Sequence, residues 1–401
     1  MAVAGAAPGM AKGPRVHLFV LIDALGWTYI EKRDFLADVL RYRQPLRTVL
    51  GFSSGAIPTI LTGVPPAQTG HWNLFYYDPQ HSPFRWLRHF RFLPPRLLNT
   101  RVIRKLMKEL GRRVLGLGPL FECCVSTTLL PFFNWTEKRN IYATGGITGA
   151  PSIFDQLAAA GRPFQVYSYH SFTDAGALRQ AVRDLEQSGP GFYFLYLSEM
   201  DSLLHHACGN PAKIDERLAF YAAALKQVYS AAAKVDPTAT LTIFSDHGMT
   251  PIHTHYDLAA QVESLALRMP DDYLAVYDST MVRFWFFNEA AKQRVREVLN
   301  SSPCGRMLSD LELEGLGIYF PDHRYGELVF LLHPGWLLSR SDFSGQWLPK
   351  GMHGYHPDDA YSDGIFLSNC PPPVEVRSIA DVYQCMRIAA ELPAKVAARA
   401  R

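Results

Sequence analysis

Four separated clusters in this chain combine carboxylates with imidazoles. Asp23 closes an apolar run in Ile22-Asp23-Ala24-Leu25-Gly26. Asp201 and His205 stand four apart in Asp201-Ser202-Leu203-Leu204-His205. A third cluster is Ser245-Asp246-His247-Gly248-Met249, and a fourth is His353-Gly354-Tyr355-His356-Pro357. Three carboxylates and three imidazoles at loop positions form a donor set for two divalent ions, zinc first and manganese as the alternative. A fifth cluster, Gly51-Phe52-Ser53-Ser54-Gly55, precedes an apolar segment and Thr62-Gly63. A hydroxyl placed there, at a helix N-terminus, is assisted by free N–H groups and the helix dipole.

Each cluster also has an ordinary structural reading. Asp23 alone serves as a strand-end cap. Asp201 and His205 alone make a solvated helix pair. Asp246-His247 fits a turn punctuated by Gly248, and Ser53 fits a helix cap. His206 competes with His205, but the four-residue spacing favours His205. His253 and His255 form an H-x-H that reads as outer-layer or surface groups. His71 and His356 are candidates for orienting substrate or for local hydrogen bonding.

The elements that must position these residues are short apolar runs with polar ends. Residues 15–22, 191–197 and 240–244 read as strands, with 163–169 as a shorter fourth. Continuous apolar runs suit strands buried on both faces. Helical patterns lie between them at 152–160, 172–187 and 211–235, the last with Asn210 as N-cap and Pro211 in its first turn. Strand–helix alternation implies an α/β fold with a parallel, helix-covered sheet. Ligands in such sheets bind beyond the carboxyl ends of the strands.

The expected organisation is a flexible tail at 1–14 and a core in three parts, 15–80, 141–264 and 346–401, the last with a C-terminal helix. Two insertions separate the parts. Residues 81–140 are basic and aromatic, and residues 265–345 read as a small α+β unit. From Arg85 to Arg113 there are ten Arg and Lys against one acid, Glu109. Between Arg101 and Arg113, Val102, Ile103, Leu106, Met107 and Leu110 fall on one helical face. This pattern suits an anionic membrane surface, the grip of a phosphorylated substrate, or a solvated helix whose stripe covers the core.

Composition excludes several classes. At 401 residues and 48% hydrophobic, the chain can bury a large core and is too apolar for disorder. A net charge of +3 does not mark a polycation for nucleic acid. Six cysteines are too sparse for a disulfide scaffold, and Cys123-Cys124 offers no CxxC pair for a zinc thiolate site. No run approaches the length needed to span a bilayer, and no leader is read. The expected location is the cytoplasm, peripheral to a membrane through 85–113.

In order along the chain, Asp23, a serine, Asp201-x-x-x-His205, Ser245-Asp-His-Gly-Met249 and Gly351-Met-His353-Gly-Tyr355 resemble the alkaline phosphatase superfamily. The resemblance is closest to its type I phosphodiesterase/nucleotide pyrophosphatase branch and spans about residues 16–367. It implies a three-layer sandwich with a mostly parallel central sheet and inserted cap segments. It further implies that Asp23, Ser53, Asp246 and His247 hold one divalent ion and Asp201, His205 and His353 the other. Family members place the threonine of a Thr-Gly pair nine positions after the nucleophile, so Thr62-Gly63 points to Ser53, with Ser54 next in line. Tyr77-Asp78-Pro79 matches a family element. Asn73, one residue off the family spacing, stands near an asparagine that holds a phosphoryl oxygen in relatives.

The implied activity is hydrolysis of phosphoric esters through a phosphoseryl intermediate, foremost as a phosphodiesterase. The substrate is a small phosphate ester or one linked to a lipid or glycan. The diesterases commonly use threonine; the serine here resembles that of alkaline phosphatases and keeps a phosphomonoesterase open. A phosphoryl transferase shares the site, and a membrane-associated scaffold with an inactive site is the alternative of another class. A sulfatase is disfavoured because Ser53-Ser54-Gly55-Ala56-Ile57 lacks the C/S-x-P-x-R context. A cofactor-independent phosphoglycerate mutase lacks its insert and length here.

Overall fold

Three of the apolar runs become inner strands of a six-stranded sheet, and the shorter fourth becomes an edge strand. In this computed structural model, residues 16–90, 95–113, 125–187, 189, 191–343, 345 and 347–393 are described. The 1–14 tail and the Cys123-Cys124 pair lie outside them. The strands in chain order are β1 (His17–Ile22), β2 (Tyr42–Leu46), β3 (Phe164–Tyr167), β4 (Phe192–Leu197), β5 (Thr240–Phe244) and β6 (Gly364–Ser368). Their spatial order is β2-β6-β5-β1-β4-β3. β1 pairs in parallel with both β4 and β5, and β3 pairs in parallel with β4. β6 runs antiparallel to its neighbours β5 and β2.

The alternation along β1 explains the layers. Leu18, Val20 and Ile22 enter one apolar core, and Phe19 and Leu21 enter the other. The first core is covered by helices Asp174–Glu186 and Pro211–Val235 through Leu178, Ala181, Tyr221 and Leu225. The second is covered by Ser53–Thr62, Ile153–Ala159 and Val382–Ala389 through Ile57, Ile60, Phe154 and Met386. Each large apolar side chain fully buried this way contributes about 1.5–3 kcal/mol. The result is the expected α/β three-layer sandwich. Local signals set the helix starts: Asn210 accepts from Lys213 N with Pro211 in the first turn, and Ser152 with Asp155 forms a capping box.

The sheet is mixed where alternation alone implies parallel strands. β2 reads Tyr-Arg-Gln-Pro-Leu, too polar to be noticed as a strand, and its Pro45 is tolerated because β2 is an edge. The reversal at β6 has a consequence for the site. Because β6 runs backwards, the loop that enters it lies at the same sheet edge as the loops that leave β1, β4 and β5.

A second, antiparallel sheet orders Tyr273–Tyr277, Met281–Phe286, Leu328–Leu332 and Gly305–Met307. The tip of its first hairpin, Asp278-Ser279-Thr280, reaches the main domain. Thr280 Oγ1 stands 3.1 and 3.2 Å from the carbonyl oxygens of His353 and Gly354. In the basic segment, Arg101–Arg113 is a helix. Met107 is buried, whereas Val102 and Leu106 are 77% and 61% exposed, so the apolar stripe is split between core and surface. Trp86, Phe90 and Leu97 are also exposed. Among the described residues no helix is long and apolar enough to cross a membrane.

Candidate active site

Three neighbouring parallel strands deliver three carboxylates to one edge. Asp23 follows β1, with its N–H bonded to Leu197 O at 3.0 Å. Asp201 lies in the first turn of helix Glu199–Ala207, directly after β4. Asp246 follows β5, and its carboxylate receives the Ala24 N–H at 3.3 Å while Thr48 Oγ1 donates to its carbonyl at 2.6 Å. Placing the functional groups at the carboxyl ends of adjacent parallel strands is the general arrangement for open α/β sheets.

The imidazoles complete two groups. His247 Nε2 lies 3.1 Å from Asp246 Oδ2 and 3.7 Å from Asp23 Oδ1. His205 Nε2 lies 3.3 Å from Asp201 Oδ1, and His353 Nε2 lies 3.6 Å from the same oxygen. The rings of His247 and His353 stack at 3.9 Å and join the groups. Nδ1 of His247 is 2.9 Å from Gly248 O, and Nδ1 of His205 is 2.9 Å from Gly351 O. Each Nδ1–H donates to its carbonyl, which leaves Nε2 as the free lone pair facing the carboxylates. His353 hangs on a loop with Gly354 at φ +89°, where a Cβ would stand 2.8 Å from both Phe52 Cε1 and Thr280 Oγ1.

The two triads, Asp23/Asp246/His247 and Asp201/His205/His353, each bring three donor atoms within 4.8 Å of one another. Asp23 Oδ1, Asp201 Oδ1 and Asp246 Oδ2 are buried with no hydrogen-bond partner among the described residues. Buried carboxylate oxygens are normally paired, so such oxygens in each of the two triads fit the donor sets of cation sites. The charges agree. Burial, followed by repulsion from Asp246 and Asp201, pushes the Asp23 carboxyl well above its ordinary range. Burial also opposes the Asp201 anion, but the charge and contact of His205, with His353 and His247 behind, carry its pKa below the usual value. Burial and the neighbouring His247 push His353 well below its ordinary range.

Ser53 opens helix Ser53–Thr62, as the sequence implies. Its Oγ lies 3.0 Å from His247 Nε2, at the edge of the first triad. Ser54 turns away and donates to Trp72 O at 3.1 Å. Asn73 is buried in the cavity wall, its Nδ2 3.5 Å from Asp278 Oδ2. Asp278 in turn accepts from Arg283 Nε at 2.7 Å. The remaining candidates lie elsewhere. Asp78 ties loops together through Asn134 and His81, His206 is exposed against Trp347, and His253 and His255 are exposed. His71 is buried outside the cavity lining, and His356 pairs with Asp358.

The cavity above the triads has a volume of about 400 Å³. Several of its residues were not singled out from sequence. Tyr196 donates to Asp23 Oδ2. Tyr142, Tyr169, Glu137, Asp278, Phe52 and Phe343 also line it, and among the described residues no lysine or arginine does. Tyr196 sits in a fully buried strand, where an apolar run reads as core.

Comparison with known proteins bears on the fold and the family. The search of curated proteins finds no match. The fold is similar to that of human ectonucleotide pyrophosphatase/phosphodiesterase 5, with a TM-score of 0.68 at 16% identity over 95% of this chain and 96% of that one. It is also similar to murine ectonucleotide pyrophosphatase/phosphodiesterase 5, solved as an inactive variant in complex with AMP, with a TM-score of 0.65 at 16% identity over 94% and 96% of the two chains. The model of the type I phosphodiesterase / nucleotide pyrophosphatase family matches residues 17–356, and the chain therefore belongs to that family of phosphoester hydrolases.

Proposed function

We propose that this protein is a metal-dependent phosphodiesterase that works through a phosphoseryl intermediate on Ser53. The observation that carries the reading is the convergence of two Asp/His triads, with three unpartnered buried carboxylate oxygens, beside a serine hydroxyl at a helix N-terminus. Two divalent ions, zinc first and manganese as the alternative, would be held by Asp23, Asp246, His247 and Ser53, and by Asp201, His205 and His353; they supply Lewis-acid charge to the reacting oxygens.

The chain's own residues do the rest. Ser53 Oγ attacks phosphorus, forming an O–P bond as the bond to the leaving alcohol breaks. Water then attacks the phosphoserine, releasing the phosphate product and restoring the hydroxyl. Asn73, with its amide fixed on Asp278, offers a donor to a phosphoryl oxygen. Stabilisation of charge by positioned donors dominates such transfers. A diester fits better than a monoester: it carries one negative charge rather than two, and no lysine or arginine among the described residues lines the cavity. The AMP bound by the murine neighbour supports a small phosphate ester as the ligand class. The test compares bis-p-nitrophenyl phosphate with p-nitrophenyl phosphate across zinc and manganese. Diester turnover lost on chelation and in Ser53→Ala is expected; diester turnover retained in Ser53→Ala would exclude the intermediate.

We also propose that residues 85–113 contact an anionic membrane surface. Exposed Trp86, Phe90, Leu97, Val102 and Leu106 lie within a segment rich in arginine and lysine. Apolar side chains set among basic ones are the composition of an interfacial helix.

A further inference from the structure

Two neighbouring parallel strands lead into helices that cap each other. β3 leads to helix Asp174–Glu186, and β4 to helix Glu199–Ala207, which carries Asp201 and His205. The second helix has no cap of its own. Ser198 stands before it at φ −97° and ψ −11°, and its side chain makes no capping bond. The first N–H groups of a helix need an outside acceptor, and Asp174 supplies it. Its Oδ1 accepts the Ser198 N–H at 2.9 Å and its Oδ2 the Glu199 N–H at 3.0 Å. Glu199 returns the contact, its Oε1 accepting the Asp174 N–H at 3.1 Å. Helix Pro211–Val235 locks the pair: the Tyr221 hydroxyl donates to Asp174 Oδ2 at 2.5 Å, and Arg217 Nη1 to Glu199 Oε2 at 2.6 Å. Asp174 is buried. Burial pushes its carboxyl above the ordinary range, and the Tyr221 hydroxyl and the two N–H groups act against that.

Neither Asp174 nor Glu199 lines the cavity, so the network reaches the site only through the helix. The far end of that helix is held too. The Lys350 N–H donates to His205 O at 2.7 Å, and His205 Nδ1 donates to Gly351 O at 2.9 Å. Between these anchors the helix sets where Asp201 stands. Its Oδ1 lies 3.3 Å from His205 Nε2, on the same helix, but 3.6 Å from His353 Nε2, on a separate loop. Rocking at the helix start would move Asp201 against His353. Asp23, Asp246 and His247 follow β1 and β5 and are held by bonds of their own. Groups that orient a metal ligand without touching the metal change its affinity by about 10–100-fold. We propose that Asp174 is a positioning residue for the second triad: through the N–H groups of Ser198 and Glu199 it fixes Asp201 against His353, and so sets that triad's affinity for its divalent ion. This rests on the two-ion reading above.

The test titrates chelator-stripped protein with zinc by calorimetry. The parent should bind two ions, and the event lost in His205→Ala marks the second triad. Asp174→Asn keeps the shape and one accepting oxygen. It should weaken the second event about tenfold and leave the other within twofold. Tyr221→Phe removes a bond to the same carboxylate without touching either N–H. It should lower the melting temperature yet keep both affinities within twofold, which separates positioning from stability. Excess zinc should return the kcat of Asp174→Asn toward the parent's on bis-p-nitrophenyl phosphate. Two ions bound with unchanged affinities in Asp174→Asn, or both events weakened alike, overturn the proposal alone. A parent that binds fewer than two ions overturns the two-ion reading, and the proposal falls with it.

Discussion

Removing one charge from the carboxylate cluster should have opposite effects on the metal-free and metal-loaded protein. Asp23 is 4% exposed, and its raised pKa comes from burial and from facing Asp246 and Asp201. Asp23→Asn retains an acceptor for the Tyr196 hydroxyl and removes one member of that repulsion. The metal-free variant is therefore expected to melt above the metal-free parent. Loading reverses the order. An ion at a hundredfold excess over its Kd contributes about 2.7 kcal/mol, so two contribute about 5 kcal/mol. Unfolding entropy is about 2.1 cal/mol/K per residue, which over 401 residues gives about 0.8 kcal/mol/K. The parent should gain about 6 °C on loading, and Asp23→Asn, with one triad impaired, about half that. Scanning calorimetry of chelator-stripped protein, with and without zinc or manganese, measures both. A parent that melts at one temperature in either state, or a metal-free Asp23→Asn that melts below it, would refute the argument that these carboxylates are arranged for cations.

Other consequences are more local. Ser54→Ala should cost about 1 kcal/mol of stability, from the lost bond to Trp72 O, while diester turnover stays near the parent's, unlike Ser53→Ala; urea unfolding and steady-state kinetics separate the two. Gly354→Ala forces a Cβ into a positive φ and against Phe52 and Thr280, so it should destabilise by about 1–3 kcal/mol and lower kcat by displacing His353. Glu137 holds its proton in the folded state up to about 7, while the unfolded carboxyl ionises near 4.3. Its contribution to stability is therefore full below about 4 and is lost as pH rises through about 7; in Glu137→Gln that decline should be missing from urea unfolding between pH 4 and 8. Sedimentation with vesicles should show binding to phosphatidylserine-containing lipid and not to neutral lipid. That binding should weaken with salt and in Val102→Ser/Leu106→Ser; equal binding to neutral vesicles would count against the basic segment.

What the sequence made legible, and what it hid, follows from the range of each interaction. β1, β4 and β5 are legible because strands buried on both faces need unbroken apolar runs, and helix Pro211–Val235 because its cap residues act within one turn. Asp23, Asp201, Asp246, His205, His247 and His353 are legible because charged or ligating types interrupt apolar context at strand ends, and the fold brings them within a few ångströms. β2 and β6 were not, since an edge strand is half solvated and needs no apolar pattern, and antiparallel direction leaves no local mark. Tyr196 and Glu137 were hidden for opposite reasons. Tyr196 stands in a run whose every residue is buried, so its hydroxyl carries no signal until β1 is laid beside β4 and Leu21 pairs with it. Glu137 sits in a stretch with Lys138 and Arg139, where a glutamate reads as one more solvated charge along the chain. In the fold it turns instead into the cavity lined by Tyr142, Tyr169 and Tyr196, where it is half-buried. The chemistry common to a family is thus written as residue types at strand ends. Discrimination among substrates is set by which neutral or solvated-looking side chains the insertions press against those ends.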